Sequence, residues 1–348
     1  MSKITNIIEI LTREFAEGKY PPGSRFPSEY DLVRRFDVGR STANKAVLSL
    51  VASGLLVRGV RGSGTRVAFP KPQLKGRILY MASFNHIFSL ERLNGAISAV
   101  QSNGYGLEVS MPQEQNIEKY LTPINGSGEY IGIITHGYFN PIDDLCPNLP
   151  VIYLDMPDPE YHPDKHYIAT PNQEAAQKMM DAILAKGHRE IVIYASPCYQ
   201  YQNTYYRVKG FQERMRQAGI ADVEKRLFAA MDYTEADAVE NLRKILERYP
   251  KTTLIATTSD DIVRTMLQAF RVMGISHPGP IALTGFGNIY DISAIHQIPT
   301  VEQNSFQFGV QACASLFDLH EKRCDHLPNI QYVGYKMVNL EHIPRVNA

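Results

Sequence analysis

The chain has 348 residues, of which 36 are Lys or Arg and 36 are Asp or Glu, and 44% are hydrophobic. This length suits a small domain and a large one, each able to bury its own core, and the composition is that of a globular protein. No apolar run approaches the roughly 20 residues that cross a bilayer, and Glu9, Arg13 and Glu14 interrupt any secretion signal. We therefore expect a cytoplasmic protein with no membrane partner.

Charge is distributed unevenly along the chain. Residues 1–70 hold 11 Lys or Arg against 6 Asp or Glu, whereas the remainder holds 25 against 30. A basic N-terminal part on an acidic body indicates a polyanionic partner for the first part alone. The cysteines show neither metal-ligand spacing nor nearby histidines, so we expect buried thiols, no metal and no other cofactor. They are Cys146, Cys198, Cys313 and Cys324.

Three helices are predicted at the N-terminus. Apolar residues recur every three or four positions from Ile4 to Phe15, and Ser28 with Asp31 resembles a capping box for a second helix. Ser41 is placed to cap a third helix. That helix would bury Ala43, Val47, Leu50 and Val51 and expose Thr42, Asn44, Lys45 and Ser49. The spacing predicts a helix-turn-helix.

Two apolar segments, LLVRGV and TRVAF, then flank the glycine-rich turn RGSG. This pattern predicts a β-hairpin, which would form the wing of a winged helix-turn-helix. The proline- and lysine-containing stretch that follows has no periodicity and is interpreted as a linker. We expect a DNA-binding domain at residues 1–69, a linker at 70–76 and a second domain at 77–348.

The second domain alternates short β-rich runs with helical segments. Strands are predicted at residues 77–82, 105–110, 130–135, 150–155, 190–195, 226–231, 253–258 and 280–286. Helices are predicted at 89–103, 172–187, 203–218, 235–248 and 261–273. This order predicts an α/β fold in which two lobes, each a doubly wound parallel sheet, enclose a cleft. Ligands of such folds bind at the carboxyl ends of the strands.

The segment from Pro21 to Ala68 resembles the winged helix-turn-helix of the GntR family. Its motifs are Pro27-Ser28-Glu29, then Val38-Gly39-Arg40, then the wing glycines followed by Thr65. The resemblance implies binding to double-stranded operator DNA, with Arg40 and Thr42 in the major groove and basic side chains on phosphates. The expected DNA contacts are Ser28, Tyr30, Arg40, Ser41, Thr42, Asn44, Lys45, Arg61, Gly62 and Ser63.

Two positions depart from the GntR pattern. The family often has a second base-reading arginine in helix three, where this chain has Asn44, whose amide is matched to adenine. Many members carry an arginine in helix two where this chain has Tyr30. The alternatives for this region are a solvated helical bundle with incidental charge and, for GVRGSGTR, a phosphate-binding loop. The latter lacks the Gly-Lys-Ser/Thr ending.

Residues 76–345 resemble the effector domain of the LacI family, which is similar to periplasmic sugar-binding proteins. The resemblance is carried by Gly187-His188-Arg189 before a strand, by Arg207 and Gly210, and by the segments SDDIV and IPTVEQNSFQFG. A GntR-type head on this body resembles the arrangement of the arabinose-responsive repressors. It implies a homodimeric, periplasmic-binding-protein-like regulator whose small-molecule effector is expected to be a sugar.

The effector contacts implied by the resemblance, together with polar residues at strand ends, are Ser83, Asn85, His86, Phe88, Thr135, His136, Asp155, Tyr205, Arg207, Asp260, Phe286, Asn288 and Gln303. Family residues are replaced by Pro171, Ser259 and Gly287, which leaves the identity of the ligand open. The strand-end residues have a purely structural interpretation as an alternative. Tyr205 belongs to an aromatic run that either lines the cleft or packs between helices.

Three other functions are alternatives for the chain. A doubly wound enzyme acting on a small polar metabolite would use His136, His188, Asp155 or Asp260 for acid-base chemistry. The sequence has no nucleophile elbow, dinucleotide fingerprint or metal set to support it. A regulator that senses a nucleoside is a second alternative. A transport binding protein would carry an export signal and no DNA-binding head, so we do not expect this function.

Overall fold

The computed structural model of the chain describes residues 3–59, 64–69, 74–82, 87–136, 142–155, 164–197 and 202–346. It divides the chain into two compact units, residues 1–73 and 74–348. Most of the expected linker lies outside the described residues, so the domain bounds given above remain a prediction. None of the helices in the described ranges is long and apolar enough to cross a membrane.

The N-terminal unit contains three helices and a hairpin. They are α1 (Lys3–Ala16), α2 (Glu29–Phe36), α3 (Arg40–Ala52), β1 (Leu56–Arg58) and β2 (Thr65–Val67). Strand β1 pairs antiparallel with β2, and Ile7, Leu11, Leu32, Val47 and Leu50 form the centre of the core. The predicted winged helix-turn-helix is confirmed. The predicted cap of α3 is wrong, because the helix begins at Arg40, two residues before the start that a Ser41 cap implies, and its N-cap is Gly39, with no side-chain cap.

The first lobe of the second unit begins with alternating strands and helices. These are β3 (Arg77–Ala82), α4 (Ile87–Asn103), β4 (Gly106–Ser110), α5 (Ile117–Gly126), β5 (Tyr130–His136), α6 (Ile142–Leu145), β6 (Val151–Leu154) and β7 (His166–Ala169). The second lobe follows, with α7 (Asn172–Ala185), β8 (Ile191–Ala195), α8 (Gln202–Gln217), β9 (Leu227–Ala229), α9 (Glu235–Arg248), β10 (Leu254–Thr257), α10 (Asp260–Val272), β11 (Ala282–Thr284), α11 (Tyr290–Ser293) and β12 (Thr300–Glu302).

The chain then returns to the first lobe through α12 (Ser305–His320) and β13 (Ile330–Tyr332), and ends near β14 (Lys336–Val338). The first sheet has the parallel order β13-β7-β6-β5-β3-β4, and the second has the parallel order β11-β10-β8-β9. Strand β14 pairs antiparallel with β12. The chain therefore crosses between the lobes three times: after β7, after β12 and after β13.

Both sheets are buried on both faces. In β3, Ile78 and Tyr80 join one core cluster with α4 and α12, while Leu79 and Met81 join another with α5. Strand β8 divides its side chains between two clusters in the same way. Strands covered by helices on both faces are apolar throughout, which confirms the predicted doubly wound architecture. Of the described cysteines, Cys146 and Cys313 are buried and Cys324 is half-buried.

Candidate DNA-binding and effector sites

Helix α2 is fixed at its start by Ser28. The Ser28 hydroxyl accepts from the Asp31 amide, and the Asp31 carboxylate accepts from the Ser28 amide, so the predicted capping box is confirmed. The Ser28 hydroxyl also donates to Asp31 at 2.6 Å. Ser28 thus fixes the start of α2, and its contact with DNA remains a prediction.

Helix α3 presents an accessible polar face. Arg40, Ser41 and Lys45 are exposed, and Thr42 and Asn44 are half-buried. The Arg40 guanidinium lies 5.1 Å from the ring centre of the exposed Tyr30. Its Nε is 3.5 Å from a carboxylate oxygen of Glu29. Tyr30 and Glu29, at the start of α2, therefore orient Arg40 at the start of α3.

Arg58, in strand β1, was not among the predicted DNA contacts. Its Nη2 donates to Asn44 Oδ1 at 2.8 Å and to Glu29 Oε1 at 3.4 Å. The sequence signal for it is weak, because one arginine in a short strand is typical of any exposed hairpin. Arg61, Gly62 and Ser63 lie outside the described residues.

At the carboxyl end of the first sheet, a buried cluster surrounds Arg92 of α4. Arg92 is only 2% exposed, donates from Nη2 to Asp155 Oδ2 at 2.7 Å, and lies 2.8 Å from His136 Nε2 through Nη1. Because arginine can only donate, His136 Nε2 accepts in this pair. The structure thus brings together two predicted effector residues, His136 and Asp155, around an arginine that the sequence analysis missed.

Several polar atoms of this first-lobe cluster have no hydrogen-bond partner among the described residues. They are Asp155 Oδ1, Arg92 Nε and Ser89 Oγ, and all three belong to residues that are more than nine-tenths buried. Thr135 Oγ1 also has no partner among the described residues, but Thr135 pairs with Met81 and so lies on the α5 face of the sheet, away from Arg92. Asp155 also adopts a left-handed backbone conformation, with φ of 56°. Native proteins rarely leave buried polar atoms unpaired, so this group requires a ligand or water.

In the second lobe, Arg207 of α8 is 3% exposed and fully engaged. Its Nε donates to Asn172 Oδ1 at 2.8 Å, its Nη1 to the Thr258 carbonyl at 2.8 Å, and its Nη2 to Gln303 Oε1 at 3.2 Å. Burial lowers the pKa of Arg207 to about 10. Asn172 and Gln303 lie in two of the three segments that cross between the lobes, which are the hinge segments. Arg207 therefore connects these hinge segments to the cleft.

Phe286 and Asp260 support this arrangement from within the protein. The Phe286 ring is buried and lies 3.7 Å below the Arg207 guanidinium, so its face is occupied. Asp260 is fully buried and accepts from the Ile289 amide at 2.7 Å and from Thr300 Oγ1 at 2.8 Å. Burial raises its pKa to about 6. Both residues act here as positioning residues, and effector contact by either remains a prediction.

The remaining predicted effector residues separate into three groups. Asn288 donates to Glu302 at 3.2 Å and does not join the Arg207 network. Tyr205 is 44% exposed and packs edge-on against Tyr206. Two positions along a helix amount to about 200°, so Tyr205 faces away from Arg207, contrary to the prediction that it lines the cleft. Ser83, Asn85 and His86 lie outside the described residues.

Two contacts between described residues of the two lobes lie at the cleft. Asn203 Nδ2 of α8 donates to Asp155 Oδ2 at 3.0 Å. A Cβ on Gly287 would lie 2.9 Å from the Phe88 ring, so Phe88 of α4 packs against the second lobe. Gly287 has φ of 142°, which disfavours any side chain. The replacement of the family aspartate by Gly287 therefore admits the Phe88 ring.

For Arg92 and Asn203, the sequence signal is their position on the inward face of a helix. Arg92 lies four residues before the buried Ala96 and three after the buried Ser89, and so on the inner stripe of α4. Asn203 precedes Arg207 by four residues and shares its helical face. A charged or polar residue on an inward stripe indicates a buried partner.

A cavity of about 360 Å³ lies beside the crossings. Its lining includes Thr170, Asn172, Gln177, Tyr206 and Tyr332. His188, weighed above as an acid-base residue, is buried, with its ring nitrogens 2.8 Å from Thr253 Oγ1 and 3.0 Å from the Pro344 carbonyl. Burial lowers its pKa, which fits a structural role. The described residues contain no group of three acidic, His or Cys side chains arranged to hold a metal.

Comparison with known proteins agrees with the domain organisation and the fold described above. Residues 3–67 match the model of bacterial regulatory proteins of the gntR family, and residues 180–338 match a periplasmic binding protein-like domain. The chain is 24% identical to the arabinose metabolism transcriptional repressor of Geobacillus stearothermophilus, over 90% of each protein.

Solved structures share the fold. The transcriptional regulator CelR–cellobiose complex has a TM-score of 0.64 at 16% identity, covering 86% of this chain and 90% of that one. The lac repressor dimer bound to operator has a TM-score of 0.63 at 16% identity, covering 76% of this chain and 93% of that one. The predicted function of a regulator, rather than an enzyme, is confirmed. The chain carries a GntR-family DNA-binding domain joined to a periplasmic-binding-protein-like domain, and it is a transcriptional regulator.

Proposed function

We propose that the chain is a repressor of carbohydrate-utilisation genes whose effector, a neutral sugar, binds between the two lobes. The observation that carries this proposal is the set of buried polar atoms around Arg92 that have no hydrogen-bond partner in the part of the chain that the structure describes. It includes both an acceptor, Asp155 Oδ1, and a donor, Arg92 Nε. A sugar hydroxyl can donate and accept at once, so a ring of hydroxyls satisfies such a mixed set.

The local charge balance favours a neutral ligand. Arg92 is paired with Asp155, and Asp155 and Asp260 also act electrostatically on Arg207. Burial raises the pKa of Asp260, and the hydrogen bonds from the Ile289 amide and the Thr300 hydroxyl act against this shift. Among the described residues, two buried arginines at the cleft thus face two buried carboxylates, a balance that does not favour a sugar phosphate or a sugar acid.

The named relatives support a sugar over a nucleoside. One is named for arabinose metabolism, and a structural neighbour holds cellobiose. L-Arabinose is therefore the first candidate effector. Because the lobes contact each other at Asn203 and Phe88, a ligand that binds both lobes would shift the equilibrium between open and closed arrangements.

The proposed assembly is a homodimer on a near-palindromic operator. A single winged head makes few base contacts, and a two-fold dimer adds a second half-site. The structural neighbour solved as a dimer on its operator supports this arrangement. Since the operator is genomic DNA, the proposed site of action is the cytoplasm.

The test is calorimetric titration of the full-length protein with L-arabinose, D-xylose, D-galactose, cellobiose, adenosine and D-arabinose 5-phosphate, beside a thermal-shift screen. We expect a neutral sugar to bind and to raise the melting temperature, because only a ligand that binds the folded state does so. Binding by the phosphate or by adenosine alone would overturn the proposal of a neutral sugar.

Ser89→Ala makes the test site-specific. The Ser89 hydroxyl, one turn before Arg92 on α4, has no hydrogen-bond partner among the described residues, so the variant should fold as the parent does but bind the sugar several-fold more weakly. The control is Ser293→Ala in α11, where the buried hydroxyl already donates to the Ile289 carbonyl at 3.1 Å. That variant should lose some stability and keep its sugar affinity. Unchanged affinity in Ser89→Ala would place the sugar elsewhere.

A further inference from the structure

The DNA-binding unit contains an exposed arginine, Arg58, that is not among the predicted DNA contacts. Arg58 stands at the end of β1, with its side chain 45% exposed. It donates to Asn44 on α3 at 2.8 Å and to Glu29 on α2 at 3.4 Å. One guanidinium thus contacts both helices of the helix-turn-helix.

This contact changes what Asn44 can read. A guanidinium has donors only, so the Asn44 atom that faces Arg58 is the amide oxygen. Recognition of adenine by asparagine uses the amide oxygen and the amide nitrogen together. With its oxygen already bound to Arg58, Asn44 is poorly placed for the adenine contact that the sequence predicts.

The same contact supplies what helix α3 lacks. Where the GntR pattern often has a second base-reading arginine, this helix has Asn44, and Arg58 brings a guanidinium to that residue from the neighbouring strand. Only its Nη2 has hydrogen-bond partners among the described residues. Nε and Nη1 therefore remain available as donors, and guanine offers two acceptors, N7 and O6, in the major groove.

We propose that Arg58 reads a guanine in each operator half-site, and that Asn44 and Glu29 are positioning residues that hold its guanidinium. The inference rests on the DNA-binding role of the head. Base readout is favoured over a phosphate contact because Arg58 is fixed by two acceptors. A phosphate contact requires a positive charge near the DNA backbone, whereas a base contact requires a side chain that is held in a fixed direction.

The experiment is selection of DNA from a randomised pool by the full-length parent and by Arg58→Ala, followed by affinity measurement at one salt concentration. The parent should enrich a two-fold site with a guanine that depends on Arg58. Arg58→Ala should lose that preference alone, and its affinity for the parent's site should fall roughly 5- to 150-fold. The double variant Asn44→Arg/Arg58→Ala should regain the guanine preference.

Arg66→Ala is the matched control. Arg66 lies in the partner strand β2 and donates to the Gly23 carbonyl at 3.0 Å, so its loss removes equal charge from the same hairpin. This variant should weaken all sequences alike. Circular dichroism and thermal melting should match the parent for every variant, since Arg58 and Arg66 are exposed.

Two results would overturn the inference alone. One is an Arg58→Ala variant that enriches the same site as the parent with unchanged affinity. The other is a uniform loss over all sequences, as in Arg66→Ala, which would make Arg58 a phosphate contact. A parent that enriches no sequence would instead overturn the DNA-binding role itself, and the inference with it.

Discussion

At the scale of single residues, buried charges join elements that are distant in sequence. Glu14, at the end of α1, is nearly buried and accepts from Tyr20 at 2.9 Å and from Arg35 Nη1 at 2.8 Å. It also pairs with Lys19. Hydrogen bonding from Arg35 is the main cause that lowers the pKa of Glu14 to about 2. Helix α2 is thereby tied to α1.

Glu14→Gln should destabilise the DNA-binding unit by about 1–3 kcal/mol at pH 7, because it removes the charge from these hydrogen bonds. The folded pKa lies below the ordinary value of 4.5, so the stabilisation is complete above pH 4.5 and is lost as pH falls through about 2. The difference between parent and variant should vanish near pH 2.

Hydrogen exchange of peptides from residues 3–59 in the full-length protein measures this difference, with parent and variant compared at each pH. Glu9→Gln, on the exposed side of the same helix, is the control and should exchange like the parent. Equal protection of Glu14→Gln and the parent at pH 7 would show that the cluster adds no stability.

The predictability of site residues depends on the kind of signal. Arg207 could be found from the sequence because a family motif contains it, but its three protein partners could not, since Asn172 and Gln303 come from crossings distant in sequence. Asp260 was found in the same way, yet the structure binds both its oxygens to protein donors. Motif resemblance identified the positions and left their immediate roles undetermined.

At the scale of elements, the sequence predicted eight of the ten strands that the structure describes in the two sheets, and five helices of the second unit. It missed α12, which is mainly apolar and so lacks the polar stripe that marks an amphipathic helix. It missed α5, which contains Pro123. It also missed β7, of four residues, and β12, β13 and β14, of three residues each. None of these strands lies in an apolar run as long as those around β9 and β11, and so short a run carries little periodicity.

The pairing of α4 with α12 depends on glycine. A Cβ on Gly309 would lie 1.9 Å from the Arg92 carbonyl oxygen and 2.5 Å from the Ala96 amide nitrogen, and a Cβ on Gly95 would lie 2.0 Å from the Phe306 carbonyl oxygen. The two backbones therefore approach too closely for any side chain. Arg92 lies at this contact, so the helix pair also fixes the cluster in the first lobe.

Gly309→Ala should destabilise the protein by about 1–3 kcal/mol or more, because backbone atoms must move to admit the methyl group. Gly126→Ala at the end of α5 is the matched control, since nothing lies within 4 Å of its Cβ. It should be neutral or slightly stabilising, as alanine favours helix. Urea unfolding of both variants and the parent measures the difference in stability. Equal midpoints for Gly309→Ala and the parent would show that α4 and α12 can move apart without loss of stability.

At the scale of the whole molecule, the alternating order of strands and helices predicted two doubly wound lobes. It could not predict that the chain returns to the first lobe after β12, because local patterns do not specify which strands become neighbours. The crossings matter for function. Arg207 binds residues at two of them, and Asn203 binds the first lobe directly, so one face of α8 contacts both hinge and cleft.

The coupling between the lobes predicts the behaviour of Asn203→Ala. Its hydrogen bond to Asp155 joins the two lobes, so its loss should weaken the arrangement in which the lobes are in contact by about 1–2 kcal/mol. A ligand that binds both lobes must then supply this free energy, and the affinity for the sugar identified by titration should fall about 5- to 30-fold. The sugar concentration at which the change in operator binding is half-complete should rise by the same factor, while operator affinity without sugar changes less.

The control is Tyr205→Ala, on the opposite face of the same helix, which should leave both the sugar affinity and this sugar concentration as in the parent. Calorimetry and fluorescence anisotropy on labelled operator give the two values, and parent-like results for Asn203→Ala would mean that this bond does not contribute to effector sensing.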